Sequence, residues 1–129
     1  MEQVFTDPAR VRQVMSNFLD NAIRYTEKKE HDLDSQENEA KHITVRYYIK
    51  NRELHFEVAD NGIGIPKGDQ KYIFEKFFRS SNAQRHQTRG SGLGLHIAKS
   101  IIEKAGGKIG FMSQQKKGST FWFTLATKG

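Results

Sequence analysis

The chain has 129 residues, 36% of them hydrophobic, with no cysteine and with 21 basic against 15 acidic side chains, a formal charge of +6. That length fits one domain with a two-layer core, the missing cysteines exclude disulfides and thiolate metal sites, and no apolar run is long enough to cross a bilayer. Met1-Glu2-Gln3-Val4 does not open a secretory leader, so a soluble domain is expected. The positive balance suits anions, yet no long basic run or basic-aromatic stripe is present, so the charge reads as a surface around an anionic small ligand and not as a nucleic-acid footprint.

Asp7-Pro8 opens the first predicted helix, with Asp7 as its cap and Pro8 at the first helical position. Val11, Val14, Phe18, Ala22 and Tyr25 recur at helical spacing and carry it to about Thr26. Asn17, Asn21 and Arg24 follow at intervals of four and three, which makes one polar stripe beside the apolar face. Asparagine is a poor helix former, and a neutral amide oxygen beside a cation suits a magnesium-nucleotide site. Alone, the stripe would be a solvated face; beside the glycine turns further along it is not.

From Glu27 to His42 the chain is highly charged and poor in apolar residues, which predicts an exposed loop. Ile43 to Lys50 and Glu53 to Asp60, joined at Asn51-Arg52, predict a hairpin. Alternation in the second strand puts Leu54, Phe56, Val58 and Asp60 on one face, so a carboxylate shares the core side. A carboxylate there is costly to bury unless donors meet it, and it should be wet at the strand end or receive a specific N–H group.

Asp60-Asn61-Gly62-Ile63-Gly64-Ile65-Pro66 turns the strand through two glycines, and Asp69 to Phe78 predicts a short helix. After a polar stretch, Gly90-Ser91-Gly92-Leu93-Gly94-Leu95 opens a second long helix, marked by Leu93, Ile97, Ile101 and Ala105 and stopped by Gly106-Gly107. Free N–H groups and the helix dipole at that start favour phosphate oxygens. Neither glycine cluster is a dinucleotide fingerprint, because the sixth position is Lys67 in one and Leu95 in the other; a P-loop and the eukaryotic-type kinase motifs are also absent. Lys108 to Ser113 and Ser119 to Thr127 predict a closing strand pair with Phe121, Phe123 and Leu125 on one face. Helices and strands fall in separate runs, which predicts an α/β two-layer sandwich with a mostly antiparallel sheet.

Taken in order, Asn17 to Thr26, Asp60 to Pro66, Ile73-Phe74-Glu75-Lys76-Phe77-Phe78-Arg79, Gly90 to Leu95 and Gly118-Ser119-Thr120-Phe121 resemble five motifs of the catalytic ATP-binding domain of bacterial sensor histidine kinases, in the GHKL ATPase superfamily. They are the asparagine, first glycine, phenylalanine, second glycine and third glycine boxes, and they cover nearly the whole chain. The resemblance implies the Bergerat fold, with helices on one face of the sheet. It implies one ATP-binding domain over residues 1–129, cut from a larger kinase, with ATP or ADP and Mg2+ as ligands. By the same resemblance, Asp60 would accept the adenine amino hydrogen, with Gly62, Gly64 and Ile65 forming the turn under the base. Asn21 would coordinate magnesium, Asn17 would support metal or phosphates, and Arg24 and Tyr25 would lie along phosphates and ribose. Gly90, Gly92, Leu93 and Gly94 would offer the second helix start to the phosphates, Phe74, Phe77 and Phe78 would anchor a lid, and Arg79 would approach the transferred phosphoryl group. Ser119 or Thr120 would complete the adenine contact. Ser80 to Gly92 would be that lid, with Arg85 and Arg89 reaching the anion.

The chain departs from the family's pattern in three places. The third glycine box reads Lys116-Lys117-Gly118 where Gly-x-Gly is usual, the Glu27 to His42 loop is longer, and the phosphoacceptor histidine motif is missing. His31-Asp32-Leu33 begins like that motif, but Asp34-Ser35-Gln36 does not continue it, and His42, His55, His86 and His96 have no metal-ligand spacing. The resemblance thus implies that the phosphoacceptor lies on a separate dimerisation domain, with a response regulator as indirect partner. It further implies a cytoplasmic position in a membrane-anchored parent, no direct membrane contact, and a monomeric fragment. Two rival functions are a hydrolysing GHKL ATPase and a nucleotide-responsive module without kinase activity. The hydrolysing branch carries Glu four residues before the magnesium Asn; that position is Asn17.

Overall fold

The computed structural model describes residues 3–4, 7–29, 40–76 and 94–128. Helix α1, Pro8–Lys29, starts where the Asp7-Pro8 pair predicts, with Asp7 Oδ1 accepting a hydrogen bond from Ala9 N at 2.9 Å. It runs three residues past the predicted end at Thr26. The Thr26 hydroxyl donates back to Ala22 O and Ile23 O at 2.9 and 3.0 Å, which satisfies it within the helix, and Glu27-Lys28-Lys29 contains only good helix formers.

Strands β2, Ile43–Lys50, and β3, Glu53–Asp60, form the expected hairpin, with Ile43 opposite Asp60 and Lys50 opposite Glu53. Asn51 and Arg52 hold φ of 54° and 61°, the left-handed pair that a two-residue turn needs to match strand twist. Strand β5, Gly118–Lys128, pairs with β3, with β4, Lys108–Gln114, and at its C-terminal end with β1, Gln3–Val4. Every pairing among the described residues is antiparallel.

The apolar face of this sheet is set by alternation. Phe56 and Val58 of β3, and Phe121, Phe123 and Leu125 of β5, are all buried. Phe18 of α1 is fully buried among them, its ring centroid 6.4, 5.6 and 6.0 Å from those of Phe56, Phe121 and Phe123. Burying such a ring contributes about 1.5–3 kcal/mol, which fixes α1 across the sheet. Helix α2, Gly94–Lys104, lies in the same layer through buried Ala98 and Ile102 and ends where Gly106 takes φ +80° and Gly107 N donates to Ile102 O at 2.9 Å.

The predicted helix over Asp69 to Phe78 is instead a 3-10 helix, Lys67–Tyr72, followed by a turn; Phe77 and Phe78 lie outside the described residues. Pro66 with φ −54° sets its start, and the Gln70 side chain reaches back to Ile65 O and Ser113 O, both at 3.0 Å, which holds the short helix against β4. Strand β2 is exposed along its whole length. Its Ile43, Val45, Tyr47 and Ile49 share the helix-side face by register, yet they remain 37–73% accessible, so the described helices stop short of this edge.

Candidate functional site

Asp60 is the last residue of β3 and continues the buried row of Phe56 and Val58, with 9% of its surface accessible. Its Oδ1 accepts a hydrogen bond from Gly62 N at 2.8 Å, the N–H that a buried carboxylate requires. Ser119 stands directly opposite on β5 and Ser113 opposite Ser119 on β4, so the three polar residues form one row across the sheet. Ser113 Oγ accepts from Ile65 N at 2.8 Å, donates to Gly118 O at 3.1 Å and lies 2.7 Å from Ser119 Oγ. Thr120 opposes Ala59 and therefore projects from the other face of the sheet, away from Asp60.

The glycine turn is clamped from both sides. Ile63 N donates to Tyr25 O at 3.4 Å, and an added Cβ on Gly62 would stand 2.7 Å from the Tyr25 carbonyl. On the other side Lys116 N donates to Ile63 O at 2.7 Å, and a Cβ on Gly64, at φ +70°, would stand 2.2 Å from Gln114 O. Asn61 pins the chain leading into β2: His42 N donates to its Oδ1 at 2.7 Å, and its Nδ2 donates to Ala40 O at 2.6 Å.

The polar stripe of α1 joins the two glycine-bearing segments. At one end Asn17 Nδ2 donates to Gly94 O, the first residue of α2, at 2.9 Å. One turn later Asn21 is buried, 6% accessible, and its Oδ1 accepts a hydrogen bond from Arg24 Nη2. A further turn on, Tyr25 meets Gly62 and Ile63 through its carbonyl. Its ring belongs to the core, as does Ile65, so these two predicted site residues act on the glycine turn through backbone and packing. Phe74 packs edge-on to Phe111 at 5.7 Å, with His96 Nδ1 3.3 Å from its carbonyl oxygen and Lys99 Nζ 5.6 Å from its ring centroid. Arg79, Gly90, Gly92 and Leu93 lie outside the described residues, as do the lid Ser80 to Gly92 with Arg85 and Arg89, most of the charged loop between Glu27 and His42, and His31 and His86.

Ser113, Gln70 and Asn61 escaped sequence reasoning as site residues. For Ser113 a signal existed, since Ile109, Phe111 and Ser113 alternate on one face and the serine breaks an apolar row. Among the described residues no group of three or more His, Cys, Asp or Glu could hold a metal. The buried oxygen of Asn21 is instead already engaged by a cation, the Arg24 guanidinium. As a ligand, the Asn21 oxygen suits a hard divalent ion which keeps most of its shell as water and phosphate oxygen.

An antiparallel sheet with helices on one face, a carboxylate-glycine turn at a strand end and a helix start two turns of α1 away make an α/β two-layer sandwich. Residues 6–129 match the family model described as histidine kinase-, DNA gyrase B-, and HSP90-like ATPase, and the chain belongs to that ATPase family. It is 34% identical over 126 residues to the signal transduction histidine-protein kinase BarA of Escherichia coli (strain K12), covering 96% of this chain and 13% of that relative. Among solved structures it is similar to the mycobacterial sensor histidine kinase MprB, with TM-score 0.77 and 28% identity over 98% of this chain and 78% of that one. It is also similar to full-length ShkA in complex with AMPPNP, with TM-score 0.72 and 29% identity over 100% of this chain and 24% of that one. The chain thus corresponds to the catalytic domain of sensor histidine kinases and spans a small part of the curated relative's length. Among the described residues no helix is long and apolar enough to cross a membrane.

Proposed function

We propose that this chain is the nucleotide-binding, phosphoryl-donating domain of a larger sensor kinase. It binds Mg-ATP and presents the γ-phosphate to a histidine on a separate dimerisation domain, from which a response regulator is phosphorylated in turn. The observation that carries this reading is the α1 stripe, whose Asn17 touches the start of α2 while Tyr25, two turns on, touches the glycine turn beside Asp60. In this reading one stripe of α1 would link an adenine-reading carboxylate, a metal-ligating amide and a phosphate-favouring helix start.

In this reading Asp60 accepts from the adenine amino group, with Ser119 beside it, and Gly62 and Gly64 let the turn pack against Tyr25 and Gln114 where the base would lie. Asn21, with Asn17 in support, would hold magnesium, which would neutralise charge on the phosphate oxygens. Arg24, Gly94 and, by family resemblance, Gly90, Gly92, Leu93 and Arg79 would position the phosphates. Transfer breaks the bond from the γ-phosphorus to ADP and forms a bond to an imidazole nitrogen, whose proton leaves to a base on the other domain; the work of this chain is positioning and charge stabilisation. Asn17 supplies no carboxylate to activate water and is engaged with Gly94, which speaks against the hydrolysing branch. We place the domain in the cytoplasm of a membrane-anchored parent, as a monomer when isolated.

Incubation with γ-labelled ATP tests the reading directly. The isolated chain should bind nucleotide and carry no stable label, and an added dimerisation domain from the parent kinase should acquire acid-labile label. Absence of nucleotide binding by calorimetry would refute it, and label appearing on the isolated chain would refute the separate acceptor.

A further inference from the structure

Arg24 does something in this structure that an exposed helix arginine ordinarily does not. Asp20 lies four residues before it, the spacing that favours an ion pair on a helix surface, yet Asp20 is exposed and no such pair forms among the described residues. The half-buried guanidinium turns instead to Asn21 and donates through Nη2 to its Oδ1. Asn21 is 6% accessible, so its oxygen would be costly to leave without a donor, and a neutral amide oxygen is a poorer partner for a cation than a carboxylate. The arrangement makes sense where that oxygen is needed as an oxygen ligand and must be kept satisfied until its ligand comes.

We propose that Arg24 is a resident cation of the metal position: in the nucleotide-free protein its guanidinium holds the side-chain oxygen of Asn21, and it surrenders that oxygen when magnesium arrives with the nucleotide. This rests on the Mg-nucleotide reading of the site. A hard divalent ion takes oxygen ligands at about 2.0–2.1 Å and cannot share this one with a guanidinium nitrogen on the same side. The displaced guanidinium is then free for phosphate oxygens, which it engages better than an amide. Arg24 is therefore a positioning residue with two stations, one for each state of the site.

Two measurements test this. In nucleotide-free protein, a thermal-unfolding cycle of Arg24→Met and Asn21→Leu should be strongly non-additive. Arg24→Met alone should lower Tm by about 4–8 °C, and it should have little effect once Asn21→Leu has removed the oxygen. Additive shifts would overturn the proposal. On wild-type protein, which needs no variant to fold, the side-chain amide signals of Asn21 and the Arg24 Nε–Hε signal are followed by NMR with ADP in EDTA and then with ADP and magnesium. Both should shift markedly only when magnesium is added, and identical spectra with and without the metal would overturn the proposal. Signals that respond to no nucleotide at all, with the non-additive cycle intact, would remove the nucleotide reading and the release step with it, while leaving the Arg24–Asn21 hold standing.

Discussion

Replacing Asp60 by Asn is the sharpest test of the base-reading role, because it keeps the size and one of the two oxygens. Oδ1 can still accept from Gly62 N at 2.8 Å, so the turn has its anchor and the fold should survive. The change falls on the other terminus, where an amide NH2 replaces an acceptor at a position 9% accessible. Facing the adenine amino group, that NH2 sets donor against donor and leaves both unsatisfied, a mismatch worth about 1–3 kcal/mol. At about 1.36 kcal/mol per decade, ATP affinity should fall about 5- to 150-fold. Calorimetry with ATP and GTP in magnesium, alongside circular dichroism for the fold, makes the measurement. Unchanged ATP affinity in a folded variant, or an equal loss for both nucleotides from a site indifferent to them at the outset, would refute the assignment.

Gly64→Ala should abolish nucleotide binding and destabilise the domain by more than about 2 kcal/mol, since φ +70° and a Cβ 2.2 Å from Gln114 O both oppose it; Gly68→Ala, with nothing within 4 Å, should be neutral in the same denaturant titration. Lys116→Gly should stabilise the protein by about 1 kcal/mol, seen as a raised Tm, because Lys116 holds φ 68° in the β4–β5 turn. Ser113→Ala should cost about 1–3 kcal/mol and weaken ATP binding, because Ile65 N loses its acceptor. Replacing it by Thr should restore part of both.

The fold was legible in sequence because local rules agreed with one another. Asp7-Pro8 marked the start of α1, Asn51-Arg52 the hairpin turn, and the alternation of Phe121, Phe123 and Leu125 the face that meets Phe18. What was illegible depends on register or on side-chain reach. Whether Ser119 or Thr120 faces Asp60 cannot be decided until the β3–β5 register is fixed, and a slip by one residue exchanges them. Gln70 shortens the expected helix to 3-10 geometry through contacts with Ile65 and with Ser113, which is 43 residues away in sequence. The hairpin was legible in β2, but not that the described helices end before reaching Val45 and Tyr47.

The position of the site follows from where the apolar rows stop. On the helix-side face, Val58, Phe121 and Phe111 lie in one row across the sheet, and Phe56, Phe123 and Ile109 in the next, all apolar. On the opposite side of the Val58 row stand Asp60, Ser119 and Ser113, polar in all three strands at the same end. A single polar residue there could be a frayed strand end. Three in register, two of them at most 9% accessible, cannot be left to water and must be satisfied by the chain or by a ligand. Ser113 spends its hydroxyl on Ile65 N, Gly118 O and Ser119, which locks the glycine turn to β4 and β5. Asp60 holds the same turn from its other side through Gly62 N. The turn is thus fixed before any nucleotide arrives, and the second carboxylate oxygen of Asp60 is held at a defined place beside it. In the proposed reading, this rigid placement of the carboxylate at the edge of a packed apolar floor is what discrimination between bases by hydrogen bonding would use.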